Sequence, residues 1–242
     1  MAVETRALAA QVVILRALRS RLRRIGRRPP PEDERVRLLR ERGIDVVLDV
    51  GANEGLYAVR LRAAGYRGRI VSFEPLSAMF AKLADASAAD PGWDALQLAL
   101  GTEPGAAVLN VAGNWASSSL LPMSERHRTA EPRSAYVAAE ECVVATLDGL
   151  REDVLRPGER AYLKLDVQGS ELAVLRGGER TLEQVEVVQA ELSLVQLYDG
   201  APLFGEVVAH LDARGFGLLA VEPAFVDPAT GAILQLDGLF AR

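Results

Sequence analysis

The chain has 242 residues, 49% of them apolar and 25% charged, with a net charge of −5. That length suits one substantial α/β domain rather than two, and the acidic balance gives no electrostatic footprint for nucleic acid. One cysteine, Cys142, excludes a disulfide framework and a cysteine zinc cluster, and two histidines, His127 and His210, exclude a His-rich metal centre.

In chain order, the first segment departs from the average. Arg6, Arg16, Arg19, Arg21, Arg23, Arg24, Arg27 and Arg28 stand against one acid, Glu4, with Leu8, Val12, Leu15, Leu18 and Leu22 at helical spacing. This predicts a basic amphipathic helix over residues 1–28, closed by the stiff spacer Pro29-Pro30-Pro31. It is read as a solvated helix packing on the domain or on a second subunit, with membrane-surface contact as the alternative. It lacks the apolar core and small-residue cleavage site of a secretory signal. No apolar run reaches the about 18 residues of a membrane span. The expectation is a soluble, cytoplasmic protein.

After the spacer, Glu32 to Arg42 reads as a charged helix with Val36, Leu38 and Leu39 inward. Val46 to Val50 is a short β-branched run, predicted as a strand covered on both faces. It stops at Gly51 and opens into a helix from about Glu54 to Ala64, with Asn53 as N-cap and Glu54 at the positive end of the dipole. Arg69 to Glu74 is a second strand, Ser77 to about Ala89 a helix, and Ala95 to Leu100 a third strand. Such alternation argues for βαβ units and a parallel sheet. The turn Thr102-Glu103-Pro104-Gly105 then predicts a hairpin between Leu98–Leu100 and Ala107–Val111, and Glu141 to Leu147 an edge strand beside it. Between them, Gly113 to Glu140 reads as a long polar loop, a lid or acceptor element, with Trp115 and Tyr136 as candidate pocket walls. Ala161 to Asp166 and Val185 to Glu191 are further strands. Pro202 to Arg214 is a helix, and Leu218–Glu222 with Leu234–Ala241 a last pair of strands.

Asp49, Glu74, Asp166 and Glu191 all stand at the C-terminal ends of predicted strands, the edge where open α/β sheets bind ligands. Glu74 follows Gly51 at about the spacing of roughly 20 residues that places an acid on an adenosine ribose. The turn itself reads Asp49-x-Gly51-x-Asn53-x-Gly55 and lacks the spacing of a dinucleotide fingerprint. Carboxylates at Asp49 and Glu54 would repel a pyrophosphate and attract the ammonium and sulfonium of S-adenosylmethionine. A nicotinamide oxidoreductase and a non-catalytic scaffold recruited by the Arg-rich helix are the alternatives.

Asp49-Val-Gly-Ala-Asn53-x-Gly55, Phe73-Glu-Pro75, Ala99-Leu-Gly101, Ser118-Ser-Leu120, Leu163-Lys-Leu-Asp-Val-x-Gly-x-Glu171, Glu191-Leu-Ser-Leu194 and Asp237-Gly-Leu-Phe240 occur in this order. Together they resemble the FkbM family of S-adenosylmethionine-dependent methyltransferases, over roughly residues 45–242, with residues 1–31 outside it. The resemblance implies a three-layer Rossmann-like α/β fold, a seven-stranded, mostly parallel sheet with one antiparallel strand, and O-methylation of a hydroxyl on a sugar or secondary metabolite. It implies that Asp49 and Gly51, joined by Asn53 and Tyr57, hold the methionine end of the cofactor. Glu74 would take the ribose, and the Ala99–Leu100 backbone would border the adenine.

For the chemistry, Asp166 is the first candidate for acceptor contact or base, with a helix cap as its structural alternative, and His127 has the pKa of a base. Asp166 with Glu191 could hold Mg²⁺ against a vicinal diol. Lys164 reads as a strand residue reaching outward. The expected partner is a small hydroxylated acceptor rather than a nucleic acid, and a homo-oligomer is left open.

Overall fold

In β1 (Val46–Val50), Val46, Leu48 and Val50 enter one apolar cluster and Val47 another on the opposite face, as the two-residue period of a strand dictates. The structure, a computed structural model, describes residues 34–242. The basic helix, spacer and domain boundary expected within residues 1–31 lie outside the described residues.

β1 lies at the middle of the sheet beside β7 (Ala161–Leu165), which is equally buried. β2 (Arg69–Phe73), β3 (Trp93–Leu96) and β8 (Val185–Ser193) run parallel to them. β9 (Gly217–Val226) and β10 (Ile233–Ala241) close the sheet as a hairpin, with β10 antiparallel to both β8 and β9. The seven-stranded order is β3-β2-β1-β7-β8-β10-β9. Helices α1 (Glu34–Glu41), α2 (Leu56–Ala63) and α3 (Ser77–Ser87) bring Val36, Leu39, Ala58, Leu61 and Leu83 onto the Val47 face. The opposite face is covered by α5 (Leu147–Val154), α6 (Glu171–Arg176) and α7 (Phe204–Asp212), through Leu147, Leu172, Leu175, Val207 and Leu211. This is the expected three-layer α/β fold, Rossmann-like with one antiparallel strand. No helix of the described residues is long and apolar enough to cross a membrane.

Register positions the site. Val50 pairs with Phe73 on one side and Leu165 on the other, and Leu165 pairs with Ala190. The next residue on each strand is Gly51, Glu74, Asp166 or Glu191, so these converge on one edge. The order reverses between β1 and β7, which opens a crevice there.

Several expected elements differ. Ala95–Leu100 is not one strand: β3 ends at Leu96, and β4 (Ala99–Leu100) belongs to a second, three-stranded sheet of order β4-β6-β5. The predicted hairpin does not form, because β6 (Tyr136–Ala145) inserts between β4 and β5 (Gly105–Ala112), pairing antiparallel with β5 and parallel with β4. An apolar run reveals a strand but not its partner. The 113–140 stretch is not structureless, since it contains α4 (Glu125–Ala130), a 3₁₀ turn at Pro132–Ser134 and the start of β6. α5 was not anticipated, although Thr146 caps it by accepting the Gly149 N–H at 3.0 Å.

Asn53 is not the N-cap of α2. It adopts φ 51°, its Oδ1 accepts the Glu54 N–H at 2.8 Å, and the helix starts only at Leu56, so Glu54 also precedes the first turn. Gly51 has φ 77°, and a Cβ there would lie 1.9 Å from the Asp166 carbonyl oxygen. Gly51→Ala should therefore cost about 2 kcal/mol or more, since both conformation and space are denied. Gly65, with φ 101° and open space around it, should lose only the conformational part, about 1–2 kcal/mol. Denaturant unfolding of the two variants checks this, and equal losses would contradict the close approach.

Candidate active site

A cavity of 670 Å³ opens at the convergent edge. Gly51, Asn53, Tyr57 and Glu74 form one part of its wall, and Ala99 and Leu100, from β4, border the same space. Lys164, Asp166, Gln168, Gln189, Glu191 and Asp237 form the other part. A lip from the 113–140 segment contributes Asn114, Trp115 and Ser118 to Leu120.

Glu74 is buried, with each carboxylate oxygen fixed by backbone. Oε2 accepts the Asn53 N–H and Oε1 the Leu76 N–H, both at 2.8 Å. Burial raises its pKa, and those two N–H groups oppose the rise. The left-handed turn at Asn53 aims that N–H at Glu74, a purpose different from capping.

Asp49 does not line the cavity. It is 0% exposed and forms an ion pair with Lys164 Nζ at 3.1 Å, while Ser72 Oγ donates to its Oδ2 at 3.3 Å. Lys164 does not reach outward. It is buried at the cavity wall, donates to the Gly51 carbonyl at 3.0 Å, lies 3.5 Å from Asp166 Oδ2 and sits 5.5 Å from the centre of the Tyr57 ring. Burial works against its ammonium, but Asp49 and Asp166 outweigh that and raise its pKa. The attraction assigned to Asp49 is thus spent on Lys164, and Glu54 faces Lys82 at 3.3 Å. The carboxylates on the cavity wall are Glu54, Glu74, Asp166, Glu191 and Asp237.

Asp166 and Glu191 are brought together, but by an amide. Gln168 Nε2 donates to Asp166 Oδ1 and to Glu191 Oε2, both at 2.8 Å, and its Oε1 accepts from Tyr198 Oη at 2.6 Å. Gln235 Nε2 adds a bond to Glu191 Oε2 at 3.0 Å. The expected Mg²⁺ site does not fit this arrangement, because an N–H₂ group occupies the position between the carboxylates. Nor do the described residues gather three or more ligating side chains. Asp166 is not a helix cap either. Glu171 instead turns back over the loop before α6, its Oε1 accepting the Val167 and Gly169 N–H groups at 3.1 and 3.3 Å, and no side chain caps the helix.

His127 lies off the cavity, 3% exposed, in contact with the Tyr198 and Phe225 rings at 5.1 and 5.4 Å. Burial lowers its pKa to about 4. It packs behind Tyr198 as a neutral imidazole, which removes it as the base. Trp115 is at the lip, 44% exposed with φ 61°. Tyr136 is not at the wall, and its hydroxyl donates to the Leu121 carbonyl at 2.7 Å. Gln168, Gln189 and Tyr198 were not singled out from sequence, and Lys164 was named there only as a strand residue reaching outward. Of these only Lys164, an ionisable residue inside an apolar strand, left a signal there.

Residues 49–218 match the family described as Methyltransferase FkbM domain. No curated protein sequence matches. The crystal structure of methyltransferase FkbM from Methylobacillus flagellatus KT aligns with 82% of this chain at TM-score 0.50 and 13% identity. The aligned part is 44% of that protein, so this chain spans less than half its length. Aeropyrum pernix fibrillarin, solved with S-adenosyl-L-methionine, aligns with 81% of this chain and 66% of its own, at TM-score 0.46 and 12% identity. Magnesium protoporphyrin IX methyltransferase from Synechocystis PCC 6803 aligns with 87% and 77%, at TM-score 0.46 and 10% identity. At such identities these likenesses concern the fold alone.

Lys164→Met leaves Asp49 buried without its counter-charge and should cost about 3–5 kcal/mol in denaturant unfolding. Adding Asp49→Asn should recover much of the loss, and a double variant no better than the single would refute the pairing. Glu171 gives a pH test. Burial, opposed by backbone hydrogen bonds, holds its folded pKa at about 7 against 4.5 for an ordinary glutamate. The folded state therefore keeps a proton that the unfolded state has lost. The resulting stabilisation is complete below pH 4.5 and is lost as pH rises through about 7. Glu171→Gln should flatten that fall in a stability-against-pH series; an unchanged slope would exclude Glu171 as its source.

Proposed function

The chain belongs to the FkbM methyltransferase family, and from that premise we propose that it transfers the methyl group of S-adenosylmethionine to a hydroxyl of a sugar or secondary metabolite. The observation that carries this reading is Glu74. Its two oxygens are pinned by the Asn53 and Leu76 N–H groups and keep lone pairs for two adjacent ribose hydroxyls at the end of the second strand.

The rest of the wall suits the same ligand. Gly51 holds the turn tight against the Asp166 carbonyl, where a side chain has no room. Ala99 and Leu100 offer an apolar border for a base. Lys164 fixes the Gly51 carbonyl at the base of the glycine turn. When bound, the donor supplies an electrophilic methyl on a positively charged sulfur.

The acceptor side is acidic, as a hydroxyl that must lose a proton requires. Asp166, Glu191 and Asp237 can accept hydrogen bonds from the acceptor, and the Asp166 contact stays part of this reading. The lip carrying Trp115 and the Ser118–Leu120 turn borders the opening and supports a role for that segment in selecting the acceptor. Transfer is an in-line displacement, so the chain's contribution is orientation, proton removal and exclusion of water. The nicotinamide alternative loses its basis with the family match.

Calorimetry should show S-adenosylmethionine binding in the micromolar range and Glu74→Ala weakening it tenfold or more, about 1.4 kcal/mol. Binding of NAD in its place would defeat the proposal. Mass spectrometry over a panel of hydroxylated acceptors should then reveal the gain of one CH₂ unit.

A further inference from the structure

We propose that Glu191 is the general base of the transfer, with Oε1 the atom that takes the acceptor's proton and Gln168 and Gln235 the residues that position it. The inference rests on the methyltransferase reading above. Gln168 Nε2 and Gln235 Nε2 both donate to Oε2, at 2.8 and 3.0 Å. Oε1 accepts no hydrogen bond among the described residues, and Glu191 stands on the cavity wall. The carboxylate is held by one oxygen and offers the other.

Three neighbouring candidates are otherwise engaged. Asp166 gives Oδ1 to Gln168 and has the Lys164 ammonium 3.5 Å from Oδ2, where it competes with an incoming proton. Glu171 holds backbone N–H groups and does not line the cavity, and His127 lies behind Tyr198. Gln168 is itself locked. Tyr198 Oη donates to its side-chain oxygen at 2.6 Å and Ser119 Oγ to its carbonyl at 2.7 Å, so its amide keeps the N–H₂ toward the carboxylates.

The charged groups facing Glu191 are Lys164 on β7, Asp166 at its end, Glu171 on α6 and Asp237 on β10. Burial and the three carboxylates favour its protonated form, and Lys164 opposes them. A carboxylate whose proton affinity is raised is a stronger base than an ordinary one.

The step balances. The acceptor O–H bond breaks and its proton goes to Glu191 Oε1. The oxygen's electron pair forms the new O–CH₃ bond, and the CH₃–S bond breaks with its pair going to sulfur. A carboxylate and a sulfonium are consumed, and a neutral carboxylic acid and a neutral thioether are left. Cancelling opposite charges is favoured where water is excluded.

The full chain is tested in two arms. With the best acceptor of the hydroxyl panel, Glu191→Gln should slow turnover about 100-fold or more and erase the acid limb of the pH–rate profile. Its affinity for S-adenosylmethionine should stay within about threefold of wild type. Asp166→Asn should slow transfer but keep the limb. The second arm needs no acceptor. With S-adenosylhomocysteine as probe, in a Glu171→Gln background, the protonated-carboxyl infrared region should lose one titrating band in Glu191→Gln, a band that persists in Asp166→Asn. Retention by Glu191→Gln of the limb, of more than about a tenth of turnover, or of the band overturns the proposal. Failure of the wild-type chain to bind S-adenosylmethionine would instead overturn the methyltransferase reading.

Discussion

The ion pair of Asp49 with Lys164, buried across the junction of β1 and β7, is the constraint on which the site depends. The two residues are register partners on adjacent parallel strands, at the place where the sheet order reverses. Lys164 also donates to the Gly51 carbonyl and approaches Asp166, so one ammonium ties together the turn after β1 and the acid after β7. A buried pair of this kind contributes little net stability over an apolar replacement, because desolvation offsets the attraction. Its effect here is geometric: it fixes two strand ends against each other beside a cavity. It also leaves a charge imbalance. One lysine faces two aspartates, on a cavity wall where Glu54, Glu74, Glu191 and Asp237 alternate with Arg35, Arg60 and Lys82.

What the sequence made legible follows from periodicity. β1 and β7 are apolar runs with an ionisable residue at one position, and each ends beside a residue that the parallel register brings to a common edge. Glu74, Asp166 and Glu191 could be named in advance because strand-end position predicts access to the crevice, and Gly51 from its turn, whereas Asn53, Tyr57, Ala99 and Leu100 enter as contacts only through the family resemblance. Asp49 could not be placed the same way. It lies one residue inside the strand, and the alternation of β1 turns it toward the helical layer of α1 to α3 rather than the opening.

The other misreadings share one cause, which is that local patterns do not encode partners. Lys164 looked solvated because lysine usually is, and only Asp49 on the next strand shows why it is buried. Asn53 has the chemistry of an N-cap, yet its own backbone N–H serves Glu74 on another strand. His127 has the pKa of a base in isolation, but packing against Tyr198 and Phe225 removes the water that would let it charge. Gln168 carried no pattern at all. It is neutral, sits in a loop, and acquires its role only when Asp166 and Glu191 converge on it.

That convergence ties the lip to the chemistry. Gln168 adopts a left-handed backbone at φ 52°, a conformation unfavourable for a residue with a side chain and kept only when its surroundings over-determine it. The surroundings do so. Ser119 holds its carbonyl, Tyr198 its side-chain oxygen, and the two carboxylates its amide. The Tyr198 hydroxyl also lies 3.1 Å from the Ser117 carbonyl, so the segment that borders the opening and the carboxylates beneath it share one hydrogen-bond network. A change in the 117–119 turn would therefore be felt at Glu191 without touching it. On the proposed reading, a single amide would couple acceptor choice to proton removal.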